Sequence, residues 1–275
     1  MPELPEVETV VRALRPLVAG RTVVALSRAD APDGPKYAGL SRAVGARVLE
    51  VARRGKFIVM PLSTGDLVAV HLGMTGTLSP TKPADHLRVR LELADAGGAR
   101  SIIHFRDPRR FGRFVVTAPD DLATLPTLAA MGPEPLEPGF TAGTFLASLA
   151  ARRGPIKPLL LGQRIVAGLG NIYADEALFA ARIHPEHPAD RIPPARVRAL
   201  HLAIREVLGR AIEARGTTLR DYRDPAGEAG NFAVALQAYG RGGEPCMRCD
   251  AVLESRVVGQ RTTTFCPRCQ RLPRG

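Results

Sequence analysis

Met1-Pro2-Glu3-Leu4-Pro5-Glu6-Val7-Glu8 opens the chain, and the placing of its two prolines and three carboxylates constrains both the first helix and the chemistry open to the chain terminus. Removal of Met1, which a small second residue permits, leaves proline as the chain terminus and makes its nitrogen a free secondary amine. An α-amino group titrates near ~8 and a lysine near ~10.4, so at pH ~7.5 about a quarter of the former is neutral against about one in a thousand of the latter. Such an amine is the better nucleophile toward a carbonyl-like carbon. Pro5 suits a first helical turn, and Val7, Val10, Val11, Leu14 and Val18 recur at helical spacing before Gly20. The amine and the neighbouring Glu3 are therefore expected at the rigid N-terminus of a helix. The plainer alternative is an amphipathic helix in which Glu6 and Glu8 only favour the helix dipole.

Beyond that helix the sequence falls into short β-rich runs separated by turn residues, at 22–27, 47–51, 56–61, 67–72, 87–93, 102–105 and 114–117. Strands at this spacing predict a sandwich or barrel and disfavour a parallel α/β sheet. Polar points interrupt the apolar pattern. Lys56 opens a strand behind Arg53-Arg54-Gly55. His71-Leu72-Gly73-Met74-Thr75-Gly76 closes another, with Met74 in a glycine-flanked turn. Asp107-Pro108-Arg109-Arg110-Phe111-Gly112 reads as an exposed tip carrying two cations and an aromatic ring. A Phe beside an Arg is what a protein needs to open a base step and fill the hole. A solvated strand-end lysine, a gap-filling methionine and a turn with a packed ring are the plainer readings of the same three points.

Three prolines within 131–139 mark a domain boundary. The chain then turns helical at 144–151, 156–161 and 194–215, the last with Val197, Leu200, Ile204, Val207, Leu208 and Ala211 on one face. Between them, Gly168-Leu169-Gly170-Asn171 precedes another helix and exposes N–H groups that suit a phosphate, although a tight interhelical turn would look the same. The stretch 216–239 is polar and aperiodic, and is expected to be a long, mobile loop. Cys246-Met247-Arg248-Cys249 and Cys266-Pro267-Arg268-Cys269 stand sixteen residues apart around β-rich sequence. That spacing predicts one structural Zn²⁺ in a closed four-thiolate site on a β-hairpin, with Arg261 at the hairpin tip as a phosphate ligand. The fold class is thus α+β: an N-terminal β-sandwich, a helical second part and a β-hairpin zinc finger.

The chain has 275 residues, 38 Lys plus Arg against 27 Asp plus Glu, and a net charge of +11. An excess of this size suits a polyanionic partner. No apolar run is long enough to span a membrane and no signal-peptide core is present, so a cytoplasmic protein with no membrane partner is expected. All four cysteines lie in the last thirty residues as two pairs, which points to metal and not to disulfides.

From Pro2 to Gln270 these motifs, in this order, resemble the formamidopyrimidine-DNA glycosylase family, and Leu4 followed by Val7-Glu8-Thr9 is closer to that branch than to its sister, endonuclease VIII. The resemblance implies a monomeric, bifunctional DNA glycosylase and AP lyase of base excision repair, working at the bacterial nucleoid on double-stranded DNA containing a damaged base. Its substrates would be oxidised purines such as 8-oxoguanine and formamidopyrimidines. It implies that Pro2 attacks C1′ and forms a Schiff base, that Glu3 protonates the opened sugar, and that Lys56 holds the phosphates near the lesion. β,δ-Elimination then cuts the strand without a metal or redox cofactor. Met74, Arg109 and Phe111 would fill the vacated space, with Arg109 facing the orphan cytosine. His71, Lys157, Asn171, Tyr239 and Arg261 would contact DNA, Arg261 also serving catalysis, while Glu6 and Glu176 support the site. The implied division is 1–132 catalytic, 133–240 a helix-two-turn-helix domain with the lesion loop, and 241–275 the zinc finger. Two departures from the pattern stand out: Asp250 follows the second cysteine where glycine is common, and Gly162 precedes Gln163 where an acidic residue is frequent. The alternatives are an endonuclease VIII-like enzyme for oxidised pyrimidines, and a non-enzymatic zinc-hairpin DNA-binding or redox module, which would leave Pro2 and Glu3 idle.

Overall fold

The structure, a computed structural model, describes residues 1–31, 34–219 and 222–272. The chain divides into two compact units, one formed by Met1–Ala129 with Ala214–Asn231, the other by Ala130–Glu213 with Phe232–Gly275.

The first unit begins with α1 (Leu4–Val18), whose entry is fixed by a reciprocal capping box between Glu3 and Glu6 with Pro5 in the first turn. The strands β1 (Thr22–Arg28), β2 (Ala52–Arg54), β3 (Phe57–Pro61), β4 (Leu67–His71), β5 (Thr77–Ser79), β6 (Leu87–Ala94), β7 (Arg100–Arg106) and β8 (Arg113–Thr117) follow, and then the single turn α2 (Pro126–Ala129). They form two four-stranded antiparallel sheets ordered β1-β6-β7-β5 and β2-β3-β4-β8. Val7, Val11 and Leu14 of α1 share one core with Val89 and Leu91 of the first sheet and Ile58 and Val70 of the second. This is the sandwich expected from the strand spacing, with α1 closing it.

Two details depart from expectation. The run 47–51 forms isolated bridges, Thr22 with Arg47 and Val48 with Leu62, and the regular ladder begins only at β2. Residues 47 and 48 pair with different sheets, so the stretch laces the two layers instead of joining either. The three-residue β5 is too short to show a period in the sequence.

The second unit contains α3 (Ala142–Ala150), capped by Thr141, then α4 (Ile156–Leu161), α5 (Asn171–Ala181) and α6 (Pro194–Glu213), and the hairpin β9 (Glu254–Val258) with β10 (Arg261–Phe265). Helix α5 is buried on nearly every side, the signature of a central helix. It packs against α4, α6 and β10. The stretch 216–239 is split between the units. Its first part closes on itself through a Thr217–Asn231 bridge and through Asp224, whose Oδ1 accepts from Ala226 and Glu228 N–H, both at 2.9 Å. Residues 220 and 221 of the expected loop lie outside the described residues. Among the described residues, no helix is long and apolar enough to cross a membrane.

Candidate active site and nucleic-acid interface

The N-terminal stretch is held by Glu6. One of its carboxylate oxygens accepts the Glu3 N–H at 2.7 Å, and the other accepts the Thr217 N–H at 2.7 Å. Tyr222 donates its hydroxyl to the Glu6 carbonyl at 3.2 Å, and burial together with the Glu6 charge pushes that phenol's pKa upward. Gly216 passes so close that a Cβ there would lie 2.7 Å from the Glu6 carboxylate. Pro2, Glu3 and Glu6 are all buried, whereas Met1 is half exposed. With Met1 in place the Pro2 nitrogen is an amide and no nucleophile.

Lys56 follows Gly55, whose φ of +56° lets β2 turn tightly into β3. Arg53 fixes this turn beside α1 by donating to Glu8 at 3.0 Å and to the Gly55 carbonyl at 3.3 Å. Lys56 is only 7% exposed. His71 ends β4 with its ring 4.8 Å from that of Phe57, and its Nδ1 accepts the Gly73 N–H at 3.1 Å. Burial, then the Lys56 ammonium, push its pKa down to about 4. At neutral pH His71 is therefore an uncharged imidazole with its proton on Nε2.

Met74, Arg109 and Phe111 are gathered on one edge of the sandwich. The turn carrying Met74 abuts the 107–112 tip backbone to backbone, since a Cβ on Gly73 would lie 2.6 Å from the Gly112 nitrogen. Asp107, fully buried, ties the two together: it accepts from Thr75 Oγ1 at 2.9 Å and from Gly112 N–H at 2.7 Å, while its own carbonyl accepts from Arg88 Nε at 2.9 Å. Met74 and Phe111 are left 38% and 50% exposed, with the Arg109 guanidinium 4.9 Å from the Phe111 ring centre. Sequence reading missed Asp107, Thr75 and Arg88. An acid before proline in a glycine-closed turn was the available signal for the first.

In the second unit, Gly168 in the left-handed region and Gly170 lead into Asn171, the first residue of α5. Gln163, itself at φ +62°, shapes this turn by accepting the Gly168 N–H at 2.8 Å and donating to the Leu169 carbonyl at 2.6 Å. Gly162, just before it, where an acid is frequent, caps α4 through its own N–H instead, which reaches the Pro158 and Leu159 carbonyls. Asn171 Nδ2 donates to the Thr262 carbonyl of β10 at 2.9 Å, which anchors the strand that Arg261 begins. Arg261 is exposed, next to the Gly259-Gln260 turn of the hairpin.

Lys157 requires a correction. It is fully buried, 2.6 Å from the equally buried Asp175, and donates to Thr263 Oγ1 at 2.7 Å. Asp175 in turn accepts the Thr264 N–H at 3.1 Å. The lysine clamps β10 onto α4 and α5 and is out of reach of a phosphate. Burial lifts the Asp175 carboxyl to about 6, with the Lys157 ammonium opposing, so it is ionised at neutral pH. Glu176, one residue on, accepts the N–H groups of Gln237 at 2.9 Å, Ala238 at 2.8 Å and Tyr239 at 2.9 Å, and so fixes the backbone at Tyr239.

The four cysteine sulfurs lie within 4.8 Å of one another, with Cys249 3.5 Å from both Cys266 and Cys269. Tetrahedral zinc with ~2.3 Å bonds puts its sulfurs ~3.8 Å apart. The donor set fits one structural Zn²⁺ with no open position. Asp250 adopts φ +61°, the left-handed conformation that glycine would supply there and that Asp tolerates.

Taking a base out of a duplex calls for a group to fill the gap and for cations along the phosphates. The first unit exposes a ring beside a cation, Phe111 with Arg109, and the second carries the exposed Arg261 on a four-cysteine hairpin, groups of the kind a zinc-hairpin DNA glycosylase needs. Known proteins agree along the whole chain. Residues 1–114 match the formamidopyrimidine-DNA glycosylase N-terminal domain, 131–223 its H2TH domain, and 243–272 the zinc finger found in FPG and IleRS. The formamidopyrimidine-DNA glycosylase of Deinococcus radiodurans is 45% identical, over 99% of this chain and 98% of its own. The crystal structure of the MutM (FPG) protein from Thermus thermophilus superposes with a TM-score of 0.89 at 45% identity, covering 99% of this chain and 100% of that one. A complex between Lactococcus lactis Fpg and DNA containing an abasic site gives 0.85 at 32% identity, over 98% and 99%. The chain belongs to the formamidopyrimidine-DNA glycosylase family, base-excision-repair enzymes that combine glycosylase and AP-lyase activity.

Proposed function

We propose that the protein excises oxidised purines, 8-oxoguanine and formamidopyrimidines, from double-stranded DNA by way of a Schiff base on Pro2. Once Met1 is removed, the Pro2 nitrogen attacks C1′ of the extruded nucleotide as Glu3 delivers a proton to the ring oxygen. The base leaves, and the iminium that remains acidifies C2′ so that β- and then δ-elimination break the two flanking phosphate bonds. The observation that carries this reading is the locking of Pro2 and Glu3 at a helix N-terminus by both oxygens of Glu6. A nucleophile and an acid held this way lose little freedom in the attack.

Around this centre, Lys56 and neutral His71 hold the phosphates next to the lesion, Asn171 and Arg261 grip the backbone, and Met74, Arg109 and Phe111 occupy the gap, with Arg109 toward the orphan base. Glu176 supports the site by fixing the backbone at Tyr239. Residues 1–132 supply the chemistry, 133–240 the helical grip and lesion loop, and 241–275 the zinc hairpin. The enzyme works as a monomer in the cytoplasm, at the nucleoid. Base release from matched duplexes carrying 8-oxoguanine or an oxidised pyrimidine tests the substrate class. Faster release of the purine is expected. Preference for the pyrimidine would indicate endonuclease VIII-like activity, and release of neither would leave a zinc-hairpin binding module.

A further inference from the structure

Five arginines, Arg182, Arg196, Arg248, Arg268 and Arg271, line one cavity of about 560 Å³ beside Cys249 and Cys269. Among the described residues, no carboxylate lines it and none of the five forms an ion pair. Four are aimed by the main chain. Arg196 donates to the Ala181 carbonyl at 3.2 Å, Arg248 to Phe179 at 2.8 Å, Arg268 to Cys249 at 3.4 Å and Arg271 to Arg268 at 3.2 Å. Arg248 also lies 4.4 Å over the Phe179 ring. The first, Arg182, ends α5 in the left-handed conformation at φ +55°. Part of this charge answers the metal site, because four thiolates on Zn²⁺ carry a net charge of about −2. Against five guanidiniums that leaves an excess of about +3. All five are exposed to solvent, so an anion can reach each of them.

The cavity is remote from the phosphate-gripping end of the hairpin. Arg261 begins β10 and the zinc cysteines follow its end, some five residues and roughly 16 Å along an extended strand. Guanidinium forks match phosphate oxygens in pairs, and the volume lies within the range of small-molecule sites. Leu272, 48% exposed, adds an apolar flank over the buried Ile183 and Ile192, which a bare inorganic anion has no use for and a flat base does. We propose that this cavity binds a nucleoside di- or triphosphate, its phosphates on the arginines and its base against the apolar flank, independently of the lesion duplex.

Anisotropy of ATP carrying a ribose-linked fluorophore, titrated with the full-length zinc-loaded protein, reads this directly. Saturable binding of one molecule per chain is expected, weakened about tenfold or more by R268Q/R271Q. Excision of a lesion by that variant stays unchanged. Because Arg268 sits in the zinc knuckle, R196Q, on α6, provides a second variant that should weaken the probe without touching the knuckle, and zinc content is measured for both. R261Q should leave the probe bound, and unlabelled ATP should displace it at lower concentration than pyrophosphate does. Absence of saturable binding would overturn the proposal. So would full displacement by lesion duplex together with loss in R261Q, which would make this the DNA site, or equal competition by pyrophosphate, which would remove the base from it.

Discussion

In the proposed mechanism Glu6 sets the geometry of the reacting terminus without itself taking part in the reaction. Its oxygens are both committed to backbone N–H groups, one from Glu3 and one from Thr217, so the start of the helix and the base of the 217–231 segment share one buried carboxylate. The sequence identified Glu6 as a supporting residue but gave no sign of Thr217, more than two hundred positions away. His71 is the residue whose titration is most exposed to test. Its folded pKa, about 4, lies below the unfolded value near ~6.5, so the unfolded chain takes up its proton first as pH falls. The stability that neutral His71 contributes is complete above ~6.5 and is lost between there and about 4. Wild type should lose about 3 kcal/mol more than His71→Gln between pH 7.5 and 4 in denaturant unfolding. Parallel pH profiles would show that the ring is not held neutral. Phe111 makes a different prediction. A wedge is needed to empty the stack and not to break the sugar, so Phe111→Ala should slow excision from a lesion duplex by about tenfold or more while sparing a pre-formed abasic site. Equal losses on both substrates would make the ring ordinary packing. Its exposure was legible from the Pro/Gly-bounded turn, whereas the Asp107 carboxylate that holds that turn was not, because one of its partners, Thr75, stands in a different turn thirty-two positions earlier.

At the scale of elements, the hairpin is stapled twice. Zinc closes one end, and the buried Lys157–Asp175 pair clamps β10 to α4 and α5. Removing one member of a buried pair strands a charge, so Lys157→Met should cost about 3–5 kcal/mol, while the double change Lys157→Met with Asp175→Leu should recover most of it. Urea unfolding of the wild type and the two variants reads the difference. A double variant no better than the single would mean the pair is not acting as a unit. Cys249→Ser should release the metal and loosen the hairpin, with DNA affinity falling in step, because metal binding is folding free energy in a module this small. Full affinity in the metal-free variant would separate the hairpin from DNA binding. The zinc spacing was plain in the sequence because four ligands in two short pairs specify their own geometry. The burial of Lys157 was not legible, because the acid it pairs with, Asp175, stands eighteen positions further on, on another helix.

For the molecule as a whole, alternation and turn spacing were enough to predict the sandwich, and helical periodicity was enough for the second unit. What they could not predict was that residues 214–231 pack with the first unit and not with the helices beside them in sequence. That assignment depends on Glu6, Thr217 and Tyr222 meeting in space. The +11 charge brings any polyanion near, so affinity for DNA alone says little about chemistry. What separates the proposed enzyme from a binding module is chemical: in it the terminal amine of Pro2, and not a lysine, attacks the sugar. Lys56 is the competitor at hand. Borohydride reduction during turnover on a lesion duplex, with protein whose Met1 has been removed, should freeze the imine as a covalent protein–DNA adduct. Digestion and mass spectrometry then locate the sugar. It is expected on the N-terminal peptide, at the Pro2 nitrogen; an adduct on the Lys56 peptide, or excision and strand cutting with no adduct at all, would contradict attack by Pro2.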